Sequence, residues 1–251
     1  GQGPYFSGDP YEHGINTARG SGAQAAARLI ARDQRYWEHF APVLERMVAD
    51  PSIAVRSCVA LACTQALRYD RATAIALFLR LCDAEDELLG AHPVEEFLHY
   101  TARAEVDHVW PVLERMLASS VAGARIAGAR QATLATLSEE IARALAETAM
   151  RGDSETRKGA AEVLSHNVFV APDRAYCEAS LIRLFDDPDS EVRTAAGNWT
   201  QHARDEKRIE PTLSVAESFV ESPAFTESAE SFFWAIEEAL DAPPSLLLRA
   251  G

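Results

Sequence analysis

Seven histidines, at positions 13, 39, 92, 99, 108, 166 and 202, are the first residues to weigh for chemistry. A metal needs imidazole, thiolate or carboxylate ligands at short spacing, for example two histidines four residues apart on one helix face. No two of these histidines stand in that relation, and no HExxH occurs. Glu95-Glu96, Glu139-Glu140 and Glu237-Glu238 are paired carboxylates of the kind used for acid–base work. In an acidic helical chain they read as solvated faces. Cys58, Cys63, Cys82 and Cys177 form no CxxC pair, and three lie in Ala/Leu-rich runs, so they read as reduced, small core residues. There is no GxxxxGK[ST] phosphate loop and no nucleophile elbow, and Gly20-Ser21-Gly22 is only a short helix start. The expectation is therefore no catalytic residue, no metal ligand and no cofactor.

The composition narrows the class further. The chain has 251 residues, 47% hydrophobic and 25% charged, the balance of a folded soluble protein. Its net charge of −14 opposes a chain-wide grip on nucleic acid or on an anionic membrane, both of which need clustered positive charge. No apolar run reaches the roughly 18 to 20 residues of a membrane span. The first 14 residues carry Asp9 and Glu12 and lack the apolar centre of a signal peptide. With reduced cysteines, this points to the cytoplasm. Alanine is the commonest residue, at 45, and it favours helix over strand. Arginine outnumbers lysine 22 to 2, which looks like the codon bias of a GC-rich genome.

Internal repetition sets the architecture. Pro42-Val-Leu-Glu-Arg-Met47 returns unchanged as Pro111-Val-Leu-Glu-Arg-Met116, an offset of 69. At that offset Ala49, Arg56, Ala60, Thr64 and Ala66 meet Ala118, Arg125, Ala129, Thr133 and Ala135. Two units of about 35 residues fill the interval. One arginine near the start of each second helix marks them: Arg19, Arg56, Arg125, Arg157 and Arg193, with His92-Pro93 standing at the missing place. First helices are expected over 35–49, 71–82, 105–118, 138–150, 173–186 and 209–221. Second helices are expected over 17–32, 52–68, 93–103, 122–137, 154–166, 190–203 and 225–240. Val43, Leu44, Met47 and Val48 give the stripe of a helix buried on one face. Asp50-Pro-Ser52, Gly152-Asp-Ser154 and Asp187-Pro-Asp-Ser190 supply turns with capping residues.

The segments Asp50-Pro-Ser-Ile-Ala-Val-Arg56 and Asp187-Pro-Asp-Ser-Glu-Val-Arg193, each followed by small residues, resemble HEAT repeats over about residues 15–240. The resemblance implies an all-α fold, a right-handed HEAT-like α-solenoid of about six to seven helical hairpins. It also implies an Asp–Arg ladder linking neighbouring repeats, built here from Asp50, Arg56, Arg125, Asp187 and Arg193. Ser119 stands where the Asp before Arg125 belongs, and Arg151 puts a like charge before Arg157, so the ladder should be interrupted there. Domains follow as an extended segment over 1–14, an array over 15–241 and a tail over 242–251. Arg19 lies on a second-type helix with no first-type partner, and Tyr5, Phe6 and Tyr11 are expected to cover its edge. Arg/Ala-rich irregular arrays of this sort look like the C-terminal sensor arrays of large bacterial STAND-type NTPases, some of them in phage defence.

HEAT-like scaffolds also carry enzymes, and two kinds bear comparison. Glu12-His13 and Glu38-His39 invert the His-Glu order of HEAT-type di-iron hydroxylases, and further motifs are missing. HEAT-like DNA glycosylases, the alternative enzyme reading, need a basic concave face with aromatics. Trp37, Trp110, Trp199 and Trp234 are available, but Trp110 and Trp234 sit in apolar runs that read as core, and the charge is wrong. What remains is a non-catalytic module that binds a protein, a peptide or another domain of its parent chain, and neither nucleic acid nor membrane. Second helices line the concave side of such arrays. Counting on from the ladder arginines makes Arg28, Arg68, His99, Arg130, Asn198 and His202 the expected contacts, with Gln24, Gln65, Arg103, Glu162, His166 and Gln201 beside them. Arginines in that row would form a positive stripe for an acidic partner.

Overall fold

The computed structural model describes residues 9–239, 241–243 and 246, and within them every regular element is a helix. The chain divides into two compact units, with the division after Gln131.

The first unit holds α1 (Pro10–Gly14), α2 (Ala18–Ile30), α3 (Gln34–Met47), α4 (Ile53–Ala66), α5 (Arg71–Cys82), α6 (His92–Thr101) and α7 (Val106–Leu117). It also holds most of α8 (Ala122–Ala135). Short polar side chains start the helices by accepting the free N–H groups of the first turn. Thr17 accepts from Gly20 N at 3.0 Å and Asp70 from Thr73 N at 3.2 Å. Ser52 stands at the cap of α4 without such a bond, and Asp50 accepts from Ser52 N instead, at 2.9 Å. Helix α6 opens at His92-Pro93, where no arginine marks the repeat.

Helix α4 is packed against α1, α2, α3, α5 and α6. That leaves no residue of it fully exposed, so its apolar residues follow no single stripe, and many are small: Ala54, Cys58, Ala60, Ala62 and Cys63 are all buried. The larger core side chains come from its neighbours. Phe78 of α5 stacks on Phe97 of α6 with centroids 3.8 Å apart, and Ile30, Leu44 and Leu81 are fully buried. Each such side chain contributes about 1.5–3 kcal/mol.

One expectation fails at the N-terminus. Residues 10–14 lie inside the segment expected to be extended, yet they form α1. Asp9 accepts from Tyr11 N at 2.9 Å and Pro10 opens the first turn, a start signal that reading the stretch as a covering strap overlooked. Tyr11 is half-buried, and its hydroxyl accepts a hydrogen bond from Gln24 Nε2 at 2.7 Å. Tyr5 and Phe6 lie outside the described residues.

The second unit holds α9 (Arg143–Arg151), α10 (Ser154–Asn167), α11 (Arg174–Leu184), α12 (Ser190–Gly197), α13 (Trp199–Glu206), α14 (Leu213–Val220) and α15 (Pro223–Glu238). Single 3-10 turns at 140–142 and 210–212 precede α9 and α14. Asp153 caps α10 and Asp189 caps α12. The one helix expected over 190–203 is two, α12 and α13, meeting at Asn198. Gly197 lies so close to α15 that a Cβ there would sit 2.5 Å from Ser228 Oγ. The core is aromatic: Trp199 packs edge-on to Phe219 at 5.6 Å, and Phe219 edge-on to Phe185 at 5.2 Å. Of the expected tail over 242–251, only 242, 243 and 246 are described, and Leu246 is buried in this core.

The tryptophans correct the sequence reading. Trp37 and Trp199 are buried, Trp110 is half-buried, and Trp234 is 46% exposed. In Phe232-Phe-Trp-Ala-Ile236 one helix cannot turn five consecutive side chains inward. Phe232, Ala235 and Ile236 face the core, and Phe233 and Trp234 face outward. Arg204 lies 5.5 Å from the Trp234 ring centroid.

All four cysteines are free and buried. Burial pushes the Cys58 thiol up to about 11 and the Cys63 and Cys177 thiols up to about 12, so none is a thiolate at neutral pH. Among the described residues, no helix is long and apolar enough to cross a membrane.

Candidate partner-binding groove

The arginines near the starts of the second helices fix the frame on which any binding surface sits. Arg56 donates from Nε to the Asp50 carbonyl at 2.6 Å and from Nη1 to the Asp83 carbonyl at 3.2 Å. Arg125 donates to the Ser119 carbonyl at 2.8 Å. Arg193 donates to the Asp187 carbonyl at 2.8 Å and ion-pairs with Glu227. Each arginine thus secures the carbonyl six residues back. The aspartate carboxylates face the preceding arginine instead: Asp50 pairs with Arg19 at 2.9 Å, and Asp187 with Arg157 at 2.6 Å.

The interruption expected at Arg157 does not occur. Its Nη1 takes the Gly152 carbonyl at 2.6 Å, five residues back, while Nε and Nη2 grip Asp187 at 2.6 and 3.1 Å. Arg151 turns outward to Glu147, so its charge never opposes Arg157. At the other irregular rung, the Ser119 hydroxyl donates to Asp86 at 2.7 Å, and Arg115 also pairs with Asp86, at 2.6 Å. These partners hold the Asp86 carboxyl below its ordinary value, chiefly through the Ser119 hydrogen bond. A carboxyl depressed by folding stabilises above its unfolded pKa, near 4, and that stability is lost as pH falls through the folded value. Ser119→Ala should therefore shift the acid-unfolding midpoint of the first unit to higher pH. Circular dichroism between pH 2 and 6 checks this, and an unmoved midpoint removes the role given to Ser119.

The six expected contact residues meet different fates. Arg28 is exposed on α2. Arg68, exposed just beyond the end of α4, is steadied by the Ala31 carbonyl at 3.1 Å and lies over Tyr69, and neither contact neutralises its charge. His99 is half-buried and packs edge-on to Tyr100 at 5.1 Å. Arg130 lies 3.5 Å from Glu95, and Gln131 also donates to Glu95, at 3.1 Å. The expected positive stripe is thus cancelled by a carboxylate at Arg130. In the second unit Asn198 is exposed where α12 meets α13, and His202 is half-buried against His166.

Arg68 is the member that the fold places in a groove. The end of α4, the start of α5 and α6 border an open groove of about 290 Å³, lined by Thr64, Gln65, Leu67, Arg68, Arg71, Glu96 and Tyr100. Arg71 is committed within it: Nε donates to Glu105 at 2.5 Å and Nη2 to the Tyr100 carbonyl at 2.9 Å. Tyr100 is 54% exposed in the groove wall. The sequence reading chose His99 and missed Tyr100 beside it. The outward position of an aromatic at the C-terminal end of a second helix was the available signal. Chemically the groove offers an exposed phenol face, the Arg68 guanidinium, the Glu96 carboxylate and the Gln65 amide. The Thr64 hydroxyl in the lining donates to the Ala60 carbonyl at 3.1 Å, and among the described residues no group of three or more His, Cys, Asp or Glu could hold a metal ion.

Comparison of the chain with protein-family models, with curated proteins and with solved structures gives no match.

Proposed function

We propose that the chain is a HEAT-like α-solenoid module that recognises a protein segment through one carboxylate and performs no catalysis, as the sensing array of a bacterial signalling or defence protein of the STAND NTPase type. The repeat reading is supported by contacts between elements one repeat apart. In the first unit α2 packs on α4 and α4 on α6, and in the second α10 packs on α12 and α12 on α15. Polar contacts follow the same spacing: Arg71–Glu105 spans 34 residues, Arg80–Glu45 spans 35, and Arg183–Glu147 spans 36. The parentage rests on the sequence resemblance.

The observation that carries the binding function is Tyr100 standing open beside Arg68 in the groove between α4 and α6. Tyrosine and arginine dominate interface hot spots because each offers a large rigid contact surface with a polar handle. Arg68 can pair with a carboxylate placed against it, while the net charge of −14 and Glu96 in the same groove oppose a densely acidic partner, so the expected segment carries one carboxylate facing Arg68. Selection of a displayed random peptide library against the chain tests this. Peptides carrying one carboxylate and a bulky apolar residue should be enriched. Their affinity should fall at least about tenfold for Arg68→Glu/Tyr100→Ala, the order of one hot-spot loss. Absence of enrichment, or peptides that bind the double variant equally, would overturn the assignment.

A further inference from the structure

Two histidines that the sequence separates by 36 residues meet on the surface of the second unit. His166 lies in the last turn of α10 and His202 in the middle of α13, each nine residues after a ladder arginine, Arg157 and Arg193. The repeat therefore brings them to one place. His166 Nδ1 and His202 Nε2 are 3.0 Å apart, with the rings perpendicular at 89° and centroids 4.3 Å apart. We propose that this pair is a surface site for a late first-row transition-metal ion, which would clamp α10 to α13.

The argument is geometric. Metal–imidazole bonds of about 2.0–2.1 Å place two neighbouring ligand nitrogens about 2.9 Å apart at a right angle and about 3.3 Å apart in a tetrahedron. The observed 3.0 Å falls between these, so both nitrogens can bind one ion with little backbone movement. In the metal-free pair one ring donates its N–H to the other. Binding needs that proton moved to the far nitrogen of the same ring, a change of tautomer that releases no proton from a neutral pair. The far nitrogens, His166 Nε2 and His202 Nδ1, then carry the N–H groups.

The two imidazoles are the protein ligands: among the described residues no third His, Cys, Asp or Glu joins them, and Asp205, nearly one turn after His202, accepts from Gln201 at 3.1 Å. The nearest arginine in sequence, Arg204, is paired with Glu238 at 2.9 Å. His166 is exposed, so water can complete the coordination shell. Imidazole ligands select zinc, copper or nickel over calcium and magnesium.

Titration of the tag-free chain with zinc chloride at pH 7.5, followed by calorimetry and by thermal melting, tests the proposal. One saturable zinc per chain is expected, with a rise in melting temperature. Affinity should fall at least about tenfold in both His166→Gln and His202→Gln, as loss of a ligand or its support commonly brings. Glutamine keeps the sites polar, and proton spectra of the metal-free variants verify that they fold. No saturable binding up to millimolar zinc, or equal binding by both folded variants, would overturn the site.

Discussion

Replacing Arg157 with alanine should destabilise the second unit by about 2–4 kcal/mol, the largest loss expected from any one of the arginines near the helix starts. The reason lies in what is left behind. Asp187 is 4% exposed at its side chain and Arg157 19%, and the guanidinium covers both carboxylate oxygens. Removing it leaves a buried charge whose remaining partner among these contacts is Asp189 N, at 2.9 Å. Breaking a buried pair by deleting one member costs about 3–5 kcal/mol, and the modest exposure of Arg157 sets the expectation somewhat below that. Urea unfolding measures it, followed by fluorescence in a Trp37→Phe/Trp110→Phe background that leaves only the tryptophans of the second unit.

The same logic supplies a control. Asp187→Asn in the Arg157→Ala background should recover part of the loss, because the amide oxygen can still accept from Asp189 N without an uncompensated charge. Arg56→Ala should cost less, about 1–2 kcal/mol, since Arg56 is bonded to carbonyls and its loss orphans no carboxylate. If Arg157→Ala proves as mild as Arg56→Ala, the bidentate grip on Asp187 contributes nothing beyond a turn hydrogen bond.

What could be read in the residues follows from which forces are local. Helix limits were legible because caps and apolar spacing are encoded within a few residues: α5 runs Arg71–Cys82 as expected, and α10 ends one residue beyond its expected limit. The arginine contacts to turn carbonyls were legible for the same reason, since six residues separate donor and acceptor. Which carboxylate an arginine meets was not, because that partner lies 30 or more residues away in the chain. Arg157 was expected to face Arg151 but bonds to the Gly152 carbonyl and to Asp187, 30 residues away. The groove was half legible. Counting along the helix found Arg68, but its pairing with Tyr100 depends on how α6 is rotated against α4. Trp234 was misjudged because an apolar run on a helix cannot bury its whole circumference. The meeting of His166 and His202 required both the repeat length and the helix rotation to be right at once.

Gly14→Ala should release α1 from the first unit. A Cβ at Gly14 would lie 2.0 Å from the Ala54 carbonyl oxygen and 2.6 Å from Cys58 Sγ, both on α4. The first of these obstacles is backbone in the opening turn of a helix packed by five neighbours, so it has no room to retreat. A Cβ at Gly20 would meet the Gly14 carbonyl at 2.0 Å, so α1 is wedged against α2 as well. The substituted turn must therefore move as a body, giving up the Gln24–Tyr11 bond and the His92 N–H bond to Asp9 at 3.1 Å. Overpacking of this kind costs about 1–3 kcal/mol, and here the ceiling is whatever docking of α1 contributes, because undocking relieves the clash. That ceiling makes the prediction sharp. Gly14→Ala and deletion of residues 1–14 should destabilise the first unit by similar amounts, and both should promote association by uncovering the apolar surface of α4 around Ala54 and Cys58. Thermal melts and light scattering on the two variants decide it. A Gly14→Ala protein as stable and monomeric as the parent would show that α1 does not rest on α4. A substitution much worse than the deletion would show that the strain passes into α4 itself instead of being shed by the departure of α1.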